Sequence, residues 1–276
     1  MKTKILGLLV VCGLSLLSCQ KEEENTTAFG DDAKINASID LISDDISKII
    51  DDQYQAQEAS GGRYPYTSYL PDCAIASISV ENGIWTRIID FGTSGCQLSN
   101  GNVLKGKIIV SGSTNFNTSP YIINYSFNNF FHNNKLIGGN RTASRTYQST
   151  PALSTPHPVV DIDINLTITY PDGNIYTRIG NRKRECIEGY NTPIILIDNV
   201  YSITGSWTTS FPNGIQTTII TTPLIVKLNC PNIVSGEMNF VRNNSSASLN
   251  FGNGSCDNIA VYTINGNSYT ISLGNP

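Results

Sequence analysis

The sequence predicts an all-β protein: an antiparallel meander, sandwich or partly closed barrel of about a dozen strands, preceded by one amphipathic helix. Three observations predict it. From Tyr64 onward apolar and polar residues alternate with period two, the signature of strands with one buried and one wet face. Aromatic-Pro-Asx-Gly turns join neighbouring alternating runs. No second helical stretch is long enough to carry a crossover between parallel strands.

The elements follow in order. Residues 1–18 carry Lys2 and Lys4 before the short apolar run Ile5–Leu17, which is a secretory signal rather than a membrane span. The segment ends Leu16-Leu17-Ser18-Cys19, which resembles the bacterial lipobox, so Cys19 is the expected site of lipidation by diacylglycerol and a palmitate-type acyl chain. Gln20-Lys21-Glu22-Glu23-Glu24 resembles the Lys-plus-acidic tract of lipoproteins exported to the cell surface, and residues 19–30 are expected to form a flexible acidic tether. Over residues 31–60, Ile35, Ile39, Ile42, Ile46, Ile49, Ile50 and Tyr54 recur every three or four residues, which is helical spacing. Asp31 or Asp32 is placed to cap this helix and Gly61-Gly62 to end it. Its isoleucine stripe is expected to dock on the following domain, with Asp40, Asp44, Asp45, Asp51 and Asp52 covering the remaining surface.

Residues 64–276 read as the antiparallel β domain. Ile162, Ile164, Leu166, Ile168 and Tyr170 alternate with Asp161, Asp163, Asn165, Thr167 and Thr169, and Tyr201–Phe211 repeats the pattern with Trp207 on the apolar face. The turns Tyr170-Pro171-Asp172-Gly173 and Phe211-Pro212-Asn213-Gly214 share one chemistry, and Asn265-Gly266 suits a type I′ hairpin.

Composition narrows the function. Of 276 residues only 14% are charged, and polarity comes instead from 30 Asn and 25 Thr. Loss of Lys2 and Lys4 with the signal leaves 16 basic and 22 acidic residues, a mildly acidic chain with no basic stripe for nucleic acid. Two histidines leave little material for zinc or for a Ser-His-Asp triad. No P-loop, GxGxxG, HExxH, G-x-S-x-G or EF-hand motif occurs, so no catalytic residue, metal or cofactor is expected.

The cysteines hold an internal echo. Cys73…Asp90-Phe91-Gly92…Cys96 matches Cys230…Asn250-Phe251-Gly252…Cys256, with Phe and Cys five apart in both. Disulfides Cys73–Cys96 and Cys230–Cys256 would each staple a hairpin. A metal site is the competing reading, but no CxxC pair is present and His132 and His157 are remote in sequence. Cys186 is left over beside Arg182-Lys183-Arg184, which would favour its thiolate unless it is buried.

Together, Cys73-Ala74-Ile75-Ala76, Ile89-Asp90-Phe91-Gly92, Gly106-Lys107-Ile108-Ile109-Val110, Phe127-Asn128-Asn129-Phe130-Phe131 and Asn250–Asn258 resemble a group of uncharacterised Bacteroidetes lipoproteins over roughly residues 72–273. The resemblance implies the all-β fold and an outer-membrane address, and no biochemical function.

Candidate ligand-binding residues are Trp85, Arg141, Arg145, Arg182 and Arg184: an aromatic face for sugar stacking, and two basic clusters that adjacent strands can bring together around an anion unless acids such as Glu185 and Glu188 pair with them. Tyr64, Tyr66 and Tyr69 are further stacking candidates, and Asp161 with Asp163 is a candidate acid pair. The expected function is a non-enzymatic structural or interaction module of the outer membrane, anchored in the lipid bilayer by its acylated N-terminus and facing the cell exterior. The alternatives are a glycan-binding lipoprotein and a carboxylate-dependent hydrolase; the expected partner is a glycan or a surface protein.

Overall fold

A computed structural model describes residues 20–60, 66–192, 195–242 and 245–273, with helix side chains from Asp31 onward. The expected signal segment (residues 1–18), Cys19, Gly61-Gly62 and Tyr64 lie outside the described residues. One helix, α1 (Gln20–Ser60), precedes fifteen strands. They are β1 (Ile75–Glu81), β2 (Ile84–Asp90), β3 (Cys96–Gln97), β4 (Val103–Ser113), β5 (Tyr121–His132), β6 (Lys135–Gly138), β7 (Asn140–Gln148) and β8 (His157–Thr169). There follow β9 (Ile175–Glu188), β10 (Val200–Phe211), β11 (Gly214–Lys227), β12 (Ser235–Arg242), β13 (Ser245–Asn253), β14 (Ile259–Ile264) and β15 (Asn267–Ser272).

All fifteen strands form a single antiparallel sheet in nearly sequential order from β1 to β15, as the alternation and the hairpin turns predict. β6 and β7 share one strand position: both pair with β5 and with β8. Gly139 makes that join possible. Its φ is +109°, and a Cβ there would lie 2.1 Å from the carbonyl oxygen of Asn165, so no other residue fits.

The helix departs from expectation in two ways. It begins at Gln20 rather than near Asp31, because the stretch before Gly30 holds no proline and its glutamates favour the helix. Asp31 and Asp32 therefore sit inside the helix and cap nothing.

The second departure concerns its surface. The acids do not face solvent: Asp40, Asp44, Asp45, Asp51 and Asp52 are buried, as are Ile39, Ile42, Ile46, Ile49 and Ile50. The sheet curls around α1 and supplies partners from many strands. Arg87 on β2, His132 on β5, Arg178 and Arg184 on β9, Gln216 on β11 and Arg242 on β12 all reach it. The isoleucines join the inward rows of the sheet in one apolar cluster, and burying those five is worth on the order of 10 kcal/mol. That magnitude makes α1 the core of the fold, not a strap laid over it.

Outward positions are mostly Ser, Thr and Asn with single Ile or Val residues between them, such as Ile179, Ile215 and Ile219. Asp161 and Asp163 belong to this wet face; Asp161 meets Lys183 at 3.7 Å, and neither lines the large cavity at the end of α1.

The internal echo is structural. Cys73 precedes β1 and Cys96 follows β2; Cys230 precedes β12 and Cys256 follows β13. The Cα atoms are 5.6 Å and 5.3 Å apart, so each disulfide closes the open end of one hairpin. The side chains of Asp90 and Asn250 each accept a hydrogen bond at 2.9 Å from the amide of the glycine two residues on, Gly92 and Gly252. Phe91 and Phe251, caught between, are both buried.

Candidate functional site

Two arrangements of side chains stand out inside the curl. The first is a ladder of ion pairs along α1. About a third of the way along it Arg242 donates to Asp32. At its midpoint, Arg178 donates to Asp40 Oδ1 at 2.7 Å, to Asn36 Oδ1 at 2.8 Å and to Thr209 Oγ1 at 3.3 Å. Arg182 approaches the same Asp40 oxygen at 3.4 Å, and the two guanidiniums flank Trp207 at 4.7 and 5.3 Å from its ring centre. Burial, together with the neighbouring Arg182 and Arg141, pulls Arg178 down to about 10, although Asp40 opposes this.

Further along, Asp45 accepts hydrogen bonds from Asn100 at 2.8 Å and Asn102 at 2.6 Å, and meets His132 Nε2 at 2.9 Å. Burial opposes its ionisation, yet the hydrogen bond from His132 and the charge of Lys48 hold its carboxyl below the ordinary range. Near the end of the helix, Arg184 donates to Asp51 while lying 3.4 Å from the ring centre of Tyr201.

The second arrangement is a cavity of about 430 Å3 where α1 finishes, between Tyr54, Gln55 and Glu58 of the helix and the ends of β5 and β7–β10. Its size suits a small ligand. Tyr54, Phe116, Tyr121, Tyr147, Tyr190 and Tyr201 supply its aromatic wall. Tyr54, Phe116 and Tyr121 hold one another edge-on and stacked at centroid distances of 5.1–5.8 Å. Tyr147 stands at the mouth, 64% exposed. Gln55, Thr118, Ser119 and Thr146 add neutral hydrogen-bonding groups, and Glu58 is the sole carboxylate among the lining residues.

Arg145 and Arg184 are the cations among the lining residues, and Arg145 is the more open of the two. Its guanidinium lies 4.7 Å from the ring centre of Tyr54 and 3.8 Å from Asp51 Oδ1, with the side chain 18% exposed. Burial disfavours its charge, but the combined fields of Asp51, Tyr54, Tyr201 and Glu58 outweigh that and raise it above the usual guanidinium value.

The expected ligand-binding residues are therefore divided. Arg145 and Arg184 do meet at one cavity, β8 alone separating their strands. Arg141 and Arg182 lie deep in the curl, 4% and 5% exposed, and Arg182 is neutralised by a helix acid rather than by Glu185 or Glu188. Glu185 is taken by Thr150 and by His157, 3.3 Å away. Trp85 is fully buried and donates from Nε1 to Tyr121 Oη at 2.7 Å, so it offers no face to a sugar; the inward parity of β2 buries it. Tyr66 donates to Asp52 and Tyr69 meets Ser99 at 3.0 Å, both away from the cavity.

Among the described residues Cys186 is the free thiol, as the echo implied, and it lines the cavity. The basic neighbours do not activate it: burial outweighs Arg184 and pushes the thiol up to about 11. Native protein at pH 8 is expected to react with a thiol-specific chromogenic disulfide at least tenfold more slowly than the same protein in denaturant. Equal rates in the two states would contradict the burial of this side chain.

Sequence reading missed the tyrosines of the cavity because they come from α1, β5, β7, β10 and a loop, and no periodicity links them. Among the described residues no group of three or more His, Cys, Asp and Glu side chains is placed to hold a metal ion. No described helix is long and apolar enough to cross a membrane. Compared with models of protein families, with characterised proteins and with solved structures, the chain finds no match.

Proposed function

We propose that the protein is an acyl-anchored lipoprotein of the outer membrane that captures a small polar ligand, most simply a glycan end, without transforming it. The observation that carries this reading is the position of the aromatic cavity relative to the expected anchor. Cys19 adjoins the first residue of α1, and the cavity surrounds its last two turns. From Gln20 to Tyr54 a helix rising 1.5 Å per residue spans about 50 Å. The helix is locked into the sheet by its ion-pair ladder, so it acts as a strut that holds the mouth of the cavity away from the lipid.

The lining supports capture rather than turnover. Tyrosine faces and neutral hydrogen-bonding groups suit a sugar, whereas glycosidases work with two carboxylates and this cavity is lined by one. The Ser, Thr and Asn of the outer face keep so uncharged a sheet solvated in this setting.

Three measurements on cells test the reading. Cys19→Ala should move the protein from the membrane fraction to the soluble one. Protease added to intact cells should remove the β domain of the native protein, and neutralising Lys21–Glu24 should protect it. Cells carrying the protein should retain labelled oligosaccharides that Tyr147→Ala cells release. Unchanged membrane attachment of the Cys19→Ala protein, or retention indifferent to Tyr147, would refute the corresponding half of the proposal.

A further inference from the structure

Around the cavity two guanidiniums, Arg145 and Arg184, stand against two carboxylates, Asp51 and Glu58, but the hydrogen bonds are shared unevenly. Arg145 and Arg184 both face Asp51. Arg184 takes that carboxylate through a direct hydrogen bond, and Arg145 is left 3.8 Å away, beyond hydrogen-bond range. Among the described residues the Arg145 guanidinium donates no hydrogen bond at all, although it carries five N–H groups in a planar fork. It is held by the Tyr54 ring beneath it, so its direction is fixed while its donors remain unused.

A fixed, partly exposed guanidinium with unused donors is built to receive a carboxylate side-on. The groups around it describe the rest of the ligand. Tyr147 at the mouth and the Tyr54–Phe116–Tyr121 cluster offer flat apolar faces. Gln55 Oε1, buried in the same wall, has no hydrogen-bond partner among the described residues and suits a hydroxyl donor.

We infer that this cavity recognises an acidic sugar: a hexuronic acid whose carboxylate pairs with Arg145 and whose ring lies against the tyrosines. The inference rests on the capture reading above and names its ligand class. An acidic polysaccharide presenting such a residue at its end is the corresponding natural source. Neutral sugars would leave the Arg145 donors unpaired on closure of the site, and such unpaired donors are what sites of this kind use to reject near analogues.

Calorimetric titration of the purified full-length protein tests this with four probes: galacturonic acid, glucuronic acid, galactose and benzoate. A uronic acid should bind at least tenfold more tightly than galactose. Arg145→Gln should abolish that preference, and Arg145→Lys, which keeps the charge but loses the fork, should retain part of it. Tyr147→Ala, a change at an exposed position that the fold tolerates, should weaken both acids and galactose together. Equal affinity for galacturonic acid and galactose overturns the inference, as does benzoate binding without uronate binding, or a uronate preference that survives Arg145→Gln. Binding of neutral oligosaccharides to cells, lost in Tyr147→Ala and indifferent to Arg145→Gln, would leave capture standing and remove the acidic ligand. Retention of no glycan at all would remove both.

Discussion

Asp40→Ala is expected to destabilise the protein by about 3–5 kcal/mol, the usual result of stripping a buried ion pair of one partner. Asp40 is wholly buried, and its Oδ1 serves Arg178 at 2.7 Å and Arg182 at 3.4 Å, both deep in the curl. Without it two guanidiniums remain in a dry site, with Arg141 close enough to add its own repulsion. Replacing Asp40 by Leu together with Arg178 and Arg182 by Met should recover most of the loss, because an apolar packing of similar volume avoids the desolvation that the charges incur. Urea unfolding at neutral pH gives the answer through the midpoint. A single variant as stable as the parent would mean that water reaches this part of the helix.

Gly106→Ala should cost about 3 kcal/mol and lower the melting temperature by roughly 6–12 °C. Gly106 has φ +78°, and an added Cβ would stand 1.9 Å from the carbonyl oxygen of Asn129 on β5. It sits at the register shift between β4 and β5, where its own amide donates to Gly92 at 2.8 Å and its carbonyl accepts from Phe91 at 2.9 Å. The comparison is Gly101→Ala. That glycine has φ +88° but no atom within 4 Å of the new methyl, so only the backbone strain of about 1 kcal/mol applies. Thermal melts of the two variants separate close approach from conformation alone; equal losses would show that the contact with Asn129 yields at little cost.

The sheet was legible in the sequence because alternation and turn chemistry are local. Every strand that the alternation of β8, β10 and β5 announced is present, and the Asx-Phe-Gly echo located both cysteine pairs. The surroundings of the helix were not legible from the helix itself. An isoleucine stripe flanked by aspartates has the same pattern whether the aspartates meet water or arginines. The missing signal lies on the strands. Arg178, Arg182 and Arg184 share the inward parity of Tyr176 and Cys186, Arg141 that of Ala143, and Arg242 that of Phe240. Arginines at inward positions need buried acids, and α1 holds the matching set. The same parity applied to β2 places Trp85 beside Ile89 in the core instead of on a ligand face. The cavity depends on six separate elements meeting at one end of the curl, and only Arg145 and Arg184 of its wall could be named beforehand as ligand-binding residues.

The ladder along α1 also fixes when the fold can close. Asp51 waits for a partner 133 residues later, Asp40 for one 138 residues later, and Asp32 for one 210 residues later, on β12. The segment that leaves the ribosome first is therefore the last to be satisfied. Loops of this length are slow to close, and the apolar stripe of the helix has no lasting cover until most of the strands have arrived. Whatever meets the chain early in its synthesis therefore meets an unfinished fold, one kept open by its own topology until nearly all of the strands exist.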